Sequence, residues 1–140
     1  MSYNLFLDDV RMPKEAFEYM HIPIYTSEGW IIVRNYYAFV ALVEGKGVPN
    51  IISFDHDLAD EHYKKQDFDY DAENSEKTGY HCAKWLIDYC MDNNKELPHE
   101  IIIHSMNPYG SRNIKSLFDT YIKVYSLEHS PIKILVSHLR

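Results

Sequence analysis

The sequence predicts an α/β protein, a doubly wound sheet of about five mainly parallel strands with helices on both faces. Three observations carry that expectation. Short apolar runs alternate with stretches whose apolar residues recur every three to four positions. Three of those runs stop at ionisable residues, at the edge where an open parallel sheet binds its ligands. Finally, 140 residues of 46% hydrophobic composition suit one domain, 1–140, with a single layered core.

The elements follow in order. Asn4–Leu7 is a short apolar strand that stops at Asp8-Asp9. The connection Met12–Gly29 is the least regular, with Pro13, Pro23 and a weak helical stripe around Ala16–Met20. Trp30–Val33 is the second strand. Tyr36, Phe39, Val40 and Val43 then mark a helix face that Gly45 and Gly47 end. Ile51–Phe54 is a third, buried strand, stopped by Asp55-His56-Asp57. Thr78-Gly79 opens a helix whose inner face is Ala83, Leu86, Ile87, Cys90 and Met91, with Asn93-Asn94 at its end. Glu100–Ile103 is the fourth strand, stopped by His104-Ser105. Asn107 as cap and Pro108 as first residue start the last helix, which buries Ile114, Leu117, Phe118, Tyr121 and Ile122. Ile132–Val136 is the fifth strand.

Charge and cysteine usage narrow the class. With 14 basic and 21 acidic residues the net charge is -7. That excludes an extended electrostatic surface for nucleic acid, though not a local phosphate site. Residues 55–76 hold nine acids against Lys64 and Lys65, and Ala59–Lys77 reads as an acidic loop insertion. Cys82 and Cys90 fall eight positions apart on one helix, roughly 12 Å along its axis, too far for a disulfide. Reduced thiols, no apolar run of membrane-spanning length and no signal peptide predict a cytoplasmic protein.

The chemistry collects at the strand ends. Four carboxylates (Asp8, Asp9, Asp55, Asp57) and two imidazoles (His56, His104) are expected on one rim. Carboxylates so crowded repel, and a divalent cation relieves them; oxygen ligands favour Mg²⁺, Ca²⁺ or Mn²⁺. Each residue also has a plainer reading: a strand-terminal Asp caps helices, and a lone histidine is often a satisfied core group. Two imidazoles near one substrate would divide acid and base work. The helix start at Asn107, Pro108, Tyr109 and Gly110 offers N–H groups that suit phosphate, with Ser105, Ser111 and Arg112 beside it. Its plainer reading is a helix start and nothing more. Arg11 either pairs with the acids or reaches a substrate phosphate.

Four segments, LFLDDVRMP (5–13), IISFDHDLAD (51–60), TGYHCAKWLID (78–88) and IIIHSMNPYGSRNI (101–114), resemble the cyclic-phosphate processing receiver domain. The resemblance implies a receiver-like, flavodoxin-like sheet. It also implies a phosphoesterase role on cyclic phosphates, carried on a nucleotide or an RNA end. Asp8 and Asp9 match the acid pair after the first strand. Asp55 matches the position that accepts the phosphoryl group in ordinary receivers. His56 and Asp57 are additions that mark the family, and His104, Ser105 and Asn107 match its fourth-strand motif. His81 departs from the pattern, standing where Asp is more usual.

The expected activity is therefore metal-dependent hydrolysis of a cyclic phosphate. Asp8, Asp9 and Asp55 would hold Mg²⁺ or Mn²⁺, His56 and His104 would move protons, and Asp57 would orient His56 or complete the metal shell. Arg11, Ser105, Asn107, Tyr109, Gly110 and Arg112 would meet the substrate. The alternatives are a nucleotide-binding module without turnover and a degenerate phosphorelay receiver. A working receiver has a lysine just after its fifth strand, and here Ser137-His138 stand there instead.

Overall fold

The computed structural model describes residues 2–58 and 77–137. Its five strands are β1 (Asn4–Leu7), β2 (Trp30–Val33), β3 (Ile51–Phe54), β4 (Glu100–Ile103) and β5 (Lys133–Val136). Between them run α1 (Pro13–Met20), α2 (Tyr36–Lys46), α3 (Gly79–Asp92) and α4 (Pro108–Glu128), with a 3₁₀ turn at Pro23–Thr26 after α1. The strands form one sheet in the order β2-β1-β3-β4-β5, and every neighbouring pair is parallel. This is the flavodoxin-like order, whose winding reverses between β1 and β3.

The strands are apolar on both sides because both faces of the sheet are covered. Leu5, Leu7, Ile52, Phe54, Ile101 and Ile103 pack against α2, α3 and α4. Phe6, Ile51 and Ile102 face the other way, against Ala16 of α1 and Tyr25. Right-handed crossovers explain the unequal cover: β1 to β2 steps one way across the sheet, and every later connection steps the other. A groove of about 540 Å³ remains beside α1, lined by Tyr19, Met20, Ile22, Leu135 and Val136 among others.

Local chemistry sets the helix starts. Asn35 Oδ1 accepts from Ala38 N–H, and Asn107 Oδ1 accepts from the N–H groups of Tyr109 and Gly110. Thr78 caps α3, and His81 Nδ1 accepts from Thr78 N–H at 2.9 Å. A histidine thus closes the capping box that an acid at that position would otherwise close.

Several boundaries differ from expectation. Gly45 lies inside α2, which continues to Lys46 and stops at Gly47, whose φ of 91° suits glycine. Met91 is 45% exposed, because Ile87 and Cys90 complete the buried stripe and the next position turns to solvent. Strand β5 starts at Lys133, not Ile132, because its partner β4 starts at Glu100. The weak stripe after Pro13 is a full helix with Pro13 in its first turn, and Tyr125 extends the buried face of α4. Cys82 and Cys90 are free and buried. No helix among the described residues is long and apolar enough to cross a membrane. The expected acidic insertion, Lys77 apart, lies outside the described residues, as do His62 and His138.

Candidate functional site

Strand register places the first three functional groups. Leu7, Phe54 and Ile103 are paired across β1, β3 and β4. One step further along the chain come Asp8, Asp55 and His104. The ladder carries on there: Asp55 N–H donates to Leu7 O, and His104 N–H donates to Phe54 O. Strand alternation puts those three side chains on the same face as Phe6, Ser53 and Ile102. One ligand atom from each of Asp8, Asp55 and His104 lies within 4.8 Å of the other two, and all three residues are buried.

Asp8 is held on every side. Its Oδ1 accepts from Val10 N–H at 2.9 Å and Arg11 N–H at 2.8 Å. Its Oδ2 lies 2.9 Å from His104 Nε2 and 3.6 Å from an Arg11 guanidinium nitrogen. Burial pushes the Asp8 carboxyl up, but the His104 bond, the backbone donors and the imidazole's electrostatic attraction outweigh it and hold the group at about 2. His104 is fully buried and stacked on Phe6 at 4.5 Å. Burial lowers its pKa against the pull of Asp8. Its Nδ1 lies 2.6 Å from Ser53 Oγ, and Ser53 Oγ lies 2.6 Å from Tyr25 Oη. A neutral imidazole donates at one nitrogen and accepts at the other. With Nε2–H given to the ionised Asp8, the line reads Tyr25 to Ser53 to His104 Nδ1.

The second constellation lies on the β3–α3 side. His56 Nδ1 donates to Asp57 Oδ1 at 2.8 Å, and Asn107 Nδ2 donates to the same oxygen at 3.1 Å. Donating at Nδ1 gives the tautomer whose Nε2 accepts a proton. His56 N–H donates to Asp55 Oδ1, and Gly79 N–H donates to His56 O. Two glycines allow this packing. A Cβ at Gly110 would overlap the His56 ring, and one at Gly79 would overlap the Asp55 carbonyl.

At the start of α4, where a phosphate site is expected, the N–H groups take part in the helix cap. Pro108 has no N–H. Those of Tyr109 and Gly110 bond Asn107 Oδ1, and that of Ser111 bonds Asn107 O. The Asn107 side chain thus satisfies two of the donors that a helix start leaves open. Ser105 Oγ accepts from Asn107 N–H, and Ser111 Oγ donates to Ser105 O. Arg112 lies over the Tyr109 ring at 4.9 Å, and both residues are exposed. Arg11 spans the rim, from Asp8 to a 3.2 Å contact with Met106 Sδ.

Sequence reasoning missed Ser53, Tyr25 and Arg34. Ser53 left a signal, one hydroxyl in an apolar strand two positions before Asp55. Tyr25 left none, since it reaches Ser53 from the irregular connection. Arg34 donates to the carbonyls of Asp8 and Arg11, at 3.1 and 2.7 Å, and so clamps the loop that carries the acid pair.

The donor set fits a hard divalent cation. Asp9 Oδ1, Asp55 Oδ2 and Asp57 Oδ2 are buried with no hydrogen-bond partner among the described residues. Burial, then the charges of Asp8 and Asp57, pushes Asp55 well above the usual carboxylate range. Burial and Asp8 raise Asp9 as well. Such orphaned oxygens are costly unless a cation or proton meets them. The convergent trio contains His104 rather than Asp9, which was expected beside Asp8 and Asp55.

A family model described as the cyclic-phosphate processing receiver domain matches residues 3–120. No curated protein and no solved structure matches the chain.

Proposed function

The chain belongs to the cyclic-phosphate processing receiver domain family, and on that premise we propose that it is a cytoplasmic, metal-dependent phosphoesterase that opens a cyclic phosphate on a nucleotide or an RNA end. One observation carries the reading. Buried carboxylate oxygens without partners among the described residues adjoin a histidine whose Nδ1 is held by Asp57.

Asp8 and Asp55 would hold Mg²⁺ or Mn²⁺, with Asp9 as the adjacent third carboxylate. The bound ion would neutralise charge on the phosphoryl oxygens. His56 takes a proton from the attacking water as its oxygen bonds phosphorus. The ring bond from phosphorus to one ribose oxygen breaks, and His56 returns the proton to that oxygen. Asp57 and Asn107 keep the imidazole in place. His104, bonded to Asp8 at Nε2 and to Ser53 at Nδ1, positions the Asp8 carboxylate. Arg11 and Arg112 are the cations that meet the phosphate from the rim, with Ser105 and Tyr109 beside them.

The test is incubation with 2′,3′-cyclic and 3′,5′-cyclic nucleotides and Mg²⁺ or Mn²⁺, followed by chromatography. Monoester product lost in His56→Ala supports the reading. Tight binding with intact ligand recovered would make the protein a binding module. Stable labelling by acetyl phosphate, lost in Asp55→Asn, would make it a phosphorelay receiver. Against that last outcome, Ser137 follows β5 and donates to Ser105 O, and Lys133 pairs with Glu100 at the far end of the strand.

A further inference from the structure

Proton transfer at His56 makes no use of three buried polar groups, the Tyr25 hydroxyl, the Ser53 hydroxyl and the His104 imidazole. They form one unbroken line to Asp8, with steps of 2.6, 2.6 and 2.9 Å. Tyr25 is 2% exposed, and Ser53 and His104 not at all. Hydroxyls buried so deeply among Phe6 and Ile102 are costly unless each is satisfied in a defined direction.

The direction follows from the Asp8 end. Asp8 Oδ1 already takes two backbone N–H groups, and the Arg11 guanidinium lies near Oδ2, so the group is a carboxylate and only accepts. His104 then donates from Nε2, and in the neutral imidazole Nδ1 accepts. Ser53 Oγ–H is the donor within reach, and Tyr25 Oη–H donates in turn to Ser53 Oγ. A histidine wired this way turns an N–H, and no lone pair, towards the carboxylates.

We infer that Tyr25 and Ser53 are positioning residues for the cation site: they fix His104 as a donor to Asp8, orient that carboxylate as a ligand, and keep the site all-oxygen. The inference rests on the metal reading above. Partners of this kind typically govern metal affinity by about 10–100-fold.

The experiment uses the full chain and Mn²⁺ alone. Free Mn²⁺ is followed by electron paramagnetic resonance during titration, and the His104 tautomer is read from ring ¹⁵N shifts in metal-free protein. In the wild type, His104 shows Nε2–H with an accepting Nδ1. Mn²⁺ affinity falls about 10-fold in Ser53→Ala and by a smaller factor in Tyr25→Phe, with the helical circular dichroism unchanged. Should Ser53→Ala fail to fold, Tyr25→Phe, which keeps the ring, carries the test. Folded variants with wild-type Mn²⁺ affinity overturn the inference alone, as does a wild-type His104 protonated on Nδ1. A wild type that binds no Mn²⁺ overturns the metal reading and this inference with it.

Discussion

Gly110→Ala tests the packing of the His56 centre in one methyl group. The added Cβ would stand 2.6 Å from His56 Cβ and Cδ2 and overlap Cγ. Carbon atoms in contact sit at about 3.5–4.0 Å, so ring and helix must part by roughly 1 Å. Overpacking of this kind costs about 1–3 kcal/mol. Alanine returns about 1 kcal/mol of helix propensity, so the net loss is about 0–2 kcal/mol. At about 2.1 cal/mol/K per residue, a chain of this length loses about 3–4 °C of Tm per kcal/mol. The same displacement pulls His56 from Asp57, and misplacement by about 1 Å costs on the order of 100-fold in turnover. Gly45→Ala is the control: it is a helical glycine with nothing within 4 Å of its added Cβ, and it should gain about 0.5–1 kcal/mol. Thermal unfolding and turnover on a cyclic nucleotide are measured for both. Gly110→Ala that matches Gly45→Ala in Tm and the wild type in turnover would refute the packing argument.

Gly79→Ala should be worse, because the overlap is with the backbone carbonyl of Asp55 and no flexible side chain can yield; a loss on the order of 3 kcal/mol is expected in urea unfolding. Asp8 has its native pKa at about 2 against 3.8 for the free group. It therefore contributes about 2 kcal/mol that is present above pH 3.8 and lost as pH falls towards 2, which acid titration of Asp8→Asn against wild type would show as a gap closing in that window. Asp55 has the opposite sign. Its raised pKa gives stability that is present below 3.8 and lost as pH rises through the native value, so metal-free Asp55→Asn should become more stable than wild type as pH rises. At 100 times its dissociation constant, Mn²⁺ should stabilise the wild type by about 2.7 kcal/mol and the variant far less, a difference that thermal shift reads directly.

Much of this protein was determined along the chain. The alternation of apolar runs with helical stripes specified the sheet, because a run such as Ile51–Phe54 has to be buried on both faces. Asn107-Pro108 and Thr78 specified where helices begin, because capping is a matter of residues three apart. The acids at the strand ends marked the functional edge for the same local reason. The tertiary structure decided how those groups divide. Only the equal register of β1, β3 and β4 brings Asp8, Asp55 and His104 together while Asp57 pairs with His56. The folded cap at Asn107 engages the N–H groups of Tyr109 and Gly110. Ser53 and Tyr25 are 28 positions apart, and no local pattern links them. Their role depends on which side chains meet inside a packed layer, and packing is a property of the assembled sheet.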